Sequence, residues 1–414
     1  MLFLFIASVA AAVYWSVALY RVALTLLMLP TGRSGVKLAD GELAEAATRS
    51  IAVFVPAHNE EDTIGDLIAS LRSQDHPAMR VVLALDRCTD RTRQVAMDAI
   101  GGDDRFTIAE IDDCPDGWAG KVHAIHGAMK QAPPADDELL LFTDADCTFE
   151  PPALRAAAAL LAERGLHLLS FLNVLRSRRW FERIVQPMAG FELVRQYPLL
   201  RVNKGGQDRR AFANGQFMLF DPDAYRRIGG HEHQRVRSAL LEDIALAKRV
   251  DKEGLRGGLL PSGGLVRCAM YDDWRDFRRG WKRIFTEAAN RRSSRLRENG
   301  VRIAITCCAL PLLAITALIV SLAGSGKVDL PLLIAGGYAV AVWLLSLVLI
   351  YRVSRAPAWS VLFAPVAALL VGRILLSAGR DLRGGRPTRW AGREYAPEDR
   401  GQRRPARQRR KSAA

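Results

Sequence analysis

Long apolar runs frame the chain, and short ones punctuate its middle. Residues 2–29 are almost wholly apolar, interrupted by Ser8, Ser16, Arg21 and Thr25. Residues 303–323 and 328–350 are two more such runs, separated by Gly324-Ser325-Gly326-Lys327. Each meets the roughly 20 residues a helix needs to cross a bilayer core. A fourth stretch, 358–377, carries Pro365 and Arg373 and is expected to lie in the interface or re-enter.

The middle block has a different rhythm. Ser50–Pro56, Arg80–Leu85, Phe106–Ile111 and Leu139–Thr143 are short apolar runs bounded by turn residues, the pattern of buried strands. Between them come helical spacings: Ile64, Leu67, Ile68 and Leu71, then 90–99, then a Gly-rich loop running into a helix over 117–129. Strand alternating with helix predicts an α/β fold, a doubly wound and mostly parallel sheet. Beyond Asp146 the spacing predicts a helix over 153–163 and a strand over 167–173. A basic amphipathic helix follows over 180–197, suited equally to a membrane surface or to core packing. Residues 203–207 read as a mobile Gly/polar stretch. A second basic segment, 275–297, leads into the apolar run at 303.

Charge refines the organisation. The 414 residues carry a formal net charge of +14. The stretch from Ser377 onward holds 12 Arg/Lys against 4 Asp/Glu, so more than half of that excess sits in the tail. The first run lacks the positive n-region of a cleaved signal and is followed by Arg33 and Lys37, which read as an uncleaved anchor with a cytoplasmic exit. The expected layout is an anchor at 1–29, a cytoplasmic domain at 38–300, membrane or interfacial helices at 303–377, and a basic cytoplasmic tail at 378–414. That tail suits anionic lipid headgroups better than nucleic acid. Six cysteines show no zinc spacing and fit a reducing compartment. The histidines, among them His123, His126, His231 and His233, read as surface or loop residues.

Candidate chemistry sits at the strand ends. Ligands of open α/β sheets bind outside the carboxyl ends of the strands. There the chain places Asp144-Ala145-Asp146, hard oxygen ligands that suit Mg²⁺ or Mn²⁺ beside a diphosphate. Glu242-Asp243 opens a helix, where an acid serves either as a cap or as a general base. Asp86 and Asp90 are equally turn formers, Lys121 a helix-terminus charge and Glu60 a first-turn acid.

The ordered set Pro56-Ala57-His58-Asn59-Glu60-Glu61, Asp86 with Thr89-Asp90-Arg91-Thr92, Gly117-Trp118-Ala119-Gly120-Lys121, Asp144-Ala145-Asp146, Gly229-Gly230-His231 and Glu242-Asp243 resembles membrane-bound family 2 glycosyltransferases. Met270-Tyr271 with Gly280-Trp281-x-Arg283 is similar to carotenoid and other lipid glycosyltransferases, and Trp390-x-Gly392-Arg393-x-Tyr395 to hopanoid-associated members. The resemblance implies a GT-A fold with one N-terminal and two or three C-terminal membrane helices. It also implies a nucleotide-sugar donor, a divalent cation, inversion at the anomeric carbon and a membrane lipid acceptor. On that basis Pro56, His58, Asn59, Glu60, Asp86, Lys121 and Asp144 would line the donor pocket, with Asp86 accepting the N3–H of a uridine. Asp146 would hold Mg²⁺ or Mn²⁺, Asp243 would be the catalytic base, and Glu242, Trp281 and Arg283 would meet acceptor or phosphate. Two departures stand out. Phe277-Arg278-Arg279-Gly280-Trp281 replaces the Gln-x-x-Arg-Trp of processive members, which argues against polymer synthesis, and His58 stands where tyrosine is commoner. A polysaccharide-extending enzyme and a non-catalytic membrane-surface protein of the same fold are the alternatives.

Overall fold

A computed structural model describes residues 1–204, 210–323, 328–390 and 393–395. The chain folds as two compact units. One comprises Met1–Leu27, Ser177–Gln196 and Tyr271–Ala414; the other comprises Met28–Arg176 and Tyr197–Met270.

The second unit is built on a seven-stranded sheet. Its strands lie in the order Phe106–Ile111, Met79–Asp86, Ile51–Ala57, Leu139–Phe142, Met218–Phe220, Leu168–Leu172, Gly257–Pro261. The first four are parallel, with Ile51 opposite both Met79 and Leu139. Met218–Phe220 is inserted antiparallel to both its neighbours, so the sheet is mixed but mostly parallel. Helices such as Ile64–Arg72 and Gly120–Gln131 bury their apolar stripes on it. The apolar run Leu139–Phe142 is therefore wholly buried. At about 2 kcal/mol for each buried side chain, such strands sustain a polar turn at their ends. Parallel register brings three turns to one edge: the residues after Ala57, Asp86, and the residues after Phe142. A smaller sheet pairs Cys147–Phe149 with Val266–Cys268, and that strand with Val174–Leu175.

The other unit is helical. Four segments are long and apolar enough to cross a membrane: Leu2–Ala39, which runs on past this unit's Leu27, then Ser293–Ala323, Leu330–Val353 and Ala358–Arg383. The last differs from the expectation for 358–377. Pro365 falls in the first turn of a continuous helix, Ala364–Arg383, where its missing N–H costs nothing, so the stretch is a full-length apolar helix and not a broken one. The helix expected over 180–197 is two, Trp180–Ile184 and Gln186–Gln196, with Pro187 at the break. Its apolar residues Phe181, Val185, Met188 and Ala189 are buried. Glu192 is buried as well, held by Arg195 at 2.9 Å and by Arg302 at 2.9 Å. Trp15 stacks on Phe191 and donates from Nε1 to the Thr306 carbonyl at 3.0 Å. Residues 205–207 of the stretch read as mobile, Gly392 and most of the basic tail lie outside the described residues.

Candidate functional site

Local hydrogen bonds fix each turn at the sheet edge. Thr143 Oγ1 donates to the Gln216 carbonyl at 2.8 Å, and the Cys147 thiol reaches the same oxygen at 3.5 Å. The Ala269 N–H donates to the Asp146 carbonyl at 3.0 Å, tying the acidic turn to the small sheet. At the first strand's end, Asn59 adopts a positive φ of 57° and its Oδ1 accepts from the Thr89 N–H at 2.8 Å. The His58 Nδ1 lies 2.6 Å from the Asp86 carbonyl. The Glu60 N–H donates to Thr92 Oγ1 at 2.7 Å, and its carboxylate accepts from Thr63 Oγ1 at 2.7 Å. Asp90 accepts from the Thr92 N–H at 3.0 Å and from its hydroxyl at 2.6 Å, the bonding of a turn former. Pro56 lies within the first strand, opposite Ala84.

Asp86 is buried, and Arg87 grips both of its carboxylate oxygens, Nε to Oδ1 at 2.7 Å and Nη2 to Oδ2 at 2.8 Å. Arg87 itself adopts a φ of 48°, which folds its side chain back on its neighbour.

A charge cluster occupies the centre. Lys121, in the first turn of the helix Gly120–Gln131, lies 2.5 Å from Asp144 Oδ1 and 2.6 Å from Glu242 Oε1. Its helix start is anchored by the Ala119 N–H, which donates to the Arg237 carbonyl at 2.7 Å. Burial works against the ammonium, yet the two carboxylates outweigh it and raise the lysine's pKa. Burial likewise opposes the charge on Glu242, and Lys121 overrides it, holding that carboxyl below its ordinary value. Asp243 accepts from the Gly215 N–H at 2.9 Å and from the Ile244 N–H at 2.6 Å. Burial first, and then the Glu242 charge, push the Asp243 carboxyl up to about 7. Burial and the nearby Asp144 push Asp146 up to about 6.

Gly215 is where these groups meet. A Cβ there would lie 3.1 Å from Lys121 Nζ, 3.2 Å from Asp243 Oδ2 and 3.2 Å from Glu242 Oε1. Gly215 was not among the residues singled out from the sequence. Asn214-Gly215, a turn dipeptide just before the apolar run Phe217–Phe220, was its available signal. Asn214 pins the loop by donating from its amide nitrogen to the Phe171 carbonyl at 2.9 Å.

Of the histidines expected at the surface or in loops, one is a buried loop residue behind the cluster. His231 is buried, not a surface residue, with Nδ1 2.6 Å from Tyr225 Oη and its ring against Phe142. Burial pulls its pKa down to about 3, so it stays neutral.

The structure brings Asp144, Lys121, Glu242 and Asp243 into direct or one-residue contact, with Asp146 two residues along the same turn. Trp281 and Arg283 belong to the other unit, on the helix Trp274–Ala288. Trp281 is buried with its ring 5.2 Å from that of Phe285, and Arg283 is half-buried.

The profile described as glycosyltransferase-like family 2 matches residues 48–262, just over half of the chain. The 4,4'-diaponeurosporenoate glycosyltransferase of Staphylococcus aureus (strain bovine RF122 / ET3-1) is 27% identical over 251 residues, covering 58% of this chain and 62% of the relative. Its counterpart in strain USA300 is 26% identical over the same shares. The chain thus spans less than two thirds of the length of these relatives. Among solved structures, the mannosyltransferase PcManGT of Pyrobaculum calidifontis, in complex with GDP-Man and Mn²⁺, aligns with a TM-score of 0.45 and 16% identity, covering 90% of this chain and 98% of that one. S. aureus TarS 1–349 with UDP-GlcNAc aligns with a TM-score of 0.40 and 15% identity, covering 86% and 98%.

Proposed function

The chain belongs to the glycosyltransferase-like family 2, and from that premise we propose that it transfers one sugar from a nucleotide sugar, UDP-linked, to a membrane lipid or isoprenoid acceptor, with inversion. The observation that carries the reading is the meeting of Lys121, Glu242 and Asp243 around Gly215, with Lys121 paired to the Asp144 turn. These residues come from four separate parts of the sequence, and a binding module has no need of all of them.

Each residue then has a task. Direct displacement at the anomeric carbon needs a carboxylate that takes the acceptor's hydroxyl proton as the new bond forms. Asp243 is that base, held in orientation by two backbone N–H donors and tuned toward neutrality by burial. Asp86 accepts the base N3–H on lone pairs that Arg87 leaves free, since each carboxylate oxygen carries two. Asn59, Glu60, His58 and Pro56 wall the same end of the pocket. Lys121 presents positive charge to the diphosphate, and Glu242 keeps that ammonium ionised.

The donor set fits a hard divalent cation. Burial and its neighbour Asp144 both disfavour charge on Asp146, and a bound cation would relieve that cost. Asp146, with Asp144, would hold Mg²⁺ or Mn²⁺, which supplies charge neutralisation to the departing diphosphate.

The acceptor assignment draws on three features: the long apolar helices, the relatives' name, which carries 4,4'-diaponeurosporenoate, and the loss of the processive motif at Phe277–Trp281. Arg33 and Lys37 after the first apolar run put the catalytic domain, residues 38–300, in the cytoplasm. Mass spectrometry of lipid extracts, with and without the gene, tests the proposal. One lipid should lose a single sugar-mass increment in the deletion strain. Unchanged lipids together with a shortened polysaccharide would overturn the acceptor assignment.

A further inference from the structure

Two cysteines far apart in sequence face the acidic turn together. Cys147 and Cys268 are directly opposite each other on antiparallel strands. Backbone bonds from the Ala269 N–H to the Asp146 carbonyl and from the Glu150 N–H to the Leu265 carbonyl fall on either side of them. The cysteines therefore occupy a non-hydrogen-bonded position, where Cα atoms approach to about 4.5 Å and side chains on one face are closest. Both thiols are buried, and both point at the same carboxylate oxygen: Cys268 Sγ lies 3.2 Å from Asp146 Oδ1, and Cys147 Sγ lies 3.8 Å from it. All three ligand atoms lie within 4.8 Å of one another.

That spacing matches a tetrahedral thiophilic cation. With zinc–sulfur and zinc–oxygen distances of about 2.3 Å and about 2.0 Å, tetrahedral angles put sulfur about 3.5 Å from oxygen and about 3.8 Å from the other sulfur. The observed sulfur–oxygen distances bracket the first of these. We propose that Asp146, Cys147 and Cys268 form a binding site for a soft divalent cation, zinc or its congeners, with the fourth position open. Binding releases the two thiol protons to solvent. Two sulfurs and one carboxylate favour zinc over magnesium or manganese on grounds of softness, and the intrinsic affinity order of divalent ions points the same way. Because Asp146 is shared, such an ion would displace the hard cation and block donor binding. That inhibitory consequence rests on the transfer reading given above; occupation of the site does not.

Cobalt(II) added to the detergent-solubilised, reduced full chain reads the site directly. A near-ultraviolet sulfur-to-cobalt charge-transfer band should appear and be bleached by zinc. It should be lost in Cys147→Ser and in Cys268→Ser, and kept in a Cys307→Ser/Cys308→Ser chain. Outer-shell partners of metal sites alter affinity about 10–100-fold, so losing a direct ligand should raise the half-saturating zinc concentration at least that much. Should the single variants fail to fold, zinc X-ray absorption on the Cys307→Ser/Cys308→Ser chain decides. Two sulfur neighbours at about 2.3 Å support the site, and a shell of oxygen and nitrogen alone overturns it. Absence of the cobalt band, or its survival in both single variants, equally overturns it. If the band behaves as expected but zinc leaves UDP-sugar binding unchanged, the soft-ion site stands and the placement of the donor's cation on Asp146 falls.

Discussion

Lys121→Met isolates the electrostatics of the central cluster. Methionine keeps the apolar stem, so the packing loss is small, and the change removes the ammonium. Glu242 is then a buried carboxylate, its side chain only 4% exposed, with its 2.6 Å partner gone. Breaking a buried pair from one side costs about 3–5 kcal/mol. Asp144 is about a third exposed, and water screens its loss to under about 1 kcal/mol. For a unit of this size each kcal/mol moves the thermal midpoint by about 2–4 °C, so the variant should melt roughly 10 °C lower at neutral pH. The pH dependence has a definite sign. In the unaltered chain Lys121 depresses the Glu242 pKa, giving stability that is present above the unfolded value and lost as pH falls through the folded one. In the variant, burial is the largest influence left on Glu242 and raises that pKa against a weaker backbone hydrogen bond, so the penalty exists at neutral pH and fades as Glu242 protonates. The gap in midpoint should therefore widen from about pH 5 to about pH 8, read by scanning fluorimetry in detergent. Lys121→Met/Glu242→Gln should recover most of it. A gap under about 2 °C, or one flat with pH, would mean that Lys121 does not hold Glu242 ionised in the folded unit.

Two further outcomes follow from the same geometry and a third from the charge of the tail. With the base's pKa up at about 7, kcat/KM should fall about tenfold per pH unit below that value and level off above it, measured as initial sugar transfer across a buffer series. Gly230→Ala places a Cβ 2.5 Å from the Tyr225 ring at a φ of 45°, and should cost about 1–3 kcal/mol in the melting assay by pushing Tyr225 off His231. Removing residues 384–414 should weaken partition onto anionic vesicles more than about tenfold while sparing neutral ones, because each basic side chain near such a surface adds about 1 kcal/mol.

The parallel strands were legible because each is a short apolar run closed by a residue that cannot continue it, as at Asp86 and at Thr143-Asp144. Turn residues at those ends were legible for the same reason: Asn59, Asp86, Asp144 and Asp146 had to reach one edge once the strands were parallel. What stayed hidden depends on long-range pairing. Nothing in the local pattern around Lys121 announces Glu242, 121 residues on, as its partner. Arg87 reads as a loop cation until its positive φ folds it onto Asp86. His231 read as a surface or loop residue and does lie in a turn, but its ring packs inward on Phe142, a contact no local pattern shows. Helix 180–197 breaks at Pro187, whereas Pro365 sits in the first turn of Ala364–Arg383 after the 3-10 turns of Ala358–Phe363, because a proline interrupts a helix interior but fits its first turn. Cys147 and Cys268 are aligned only by the antiparallel register of the small sheet.

Transfer turns on Asp243 removing the acceptor's proton beside a donor held by other residues. Asp243→Asn preserves the side chain's shape and one of its two backbone hydrogen bonds, because the amide nitrogen cannot accept the other; no donor-binding residue is changed, so UDP-sugar affinity by calorimetry in nanodiscs should match that of the unaltered chain. Transfer to extracted lipid, followed by mass spectrometry, should fall by about 10²–10⁴. Full transfer by the Asp243→Asn chain would contradict the claim.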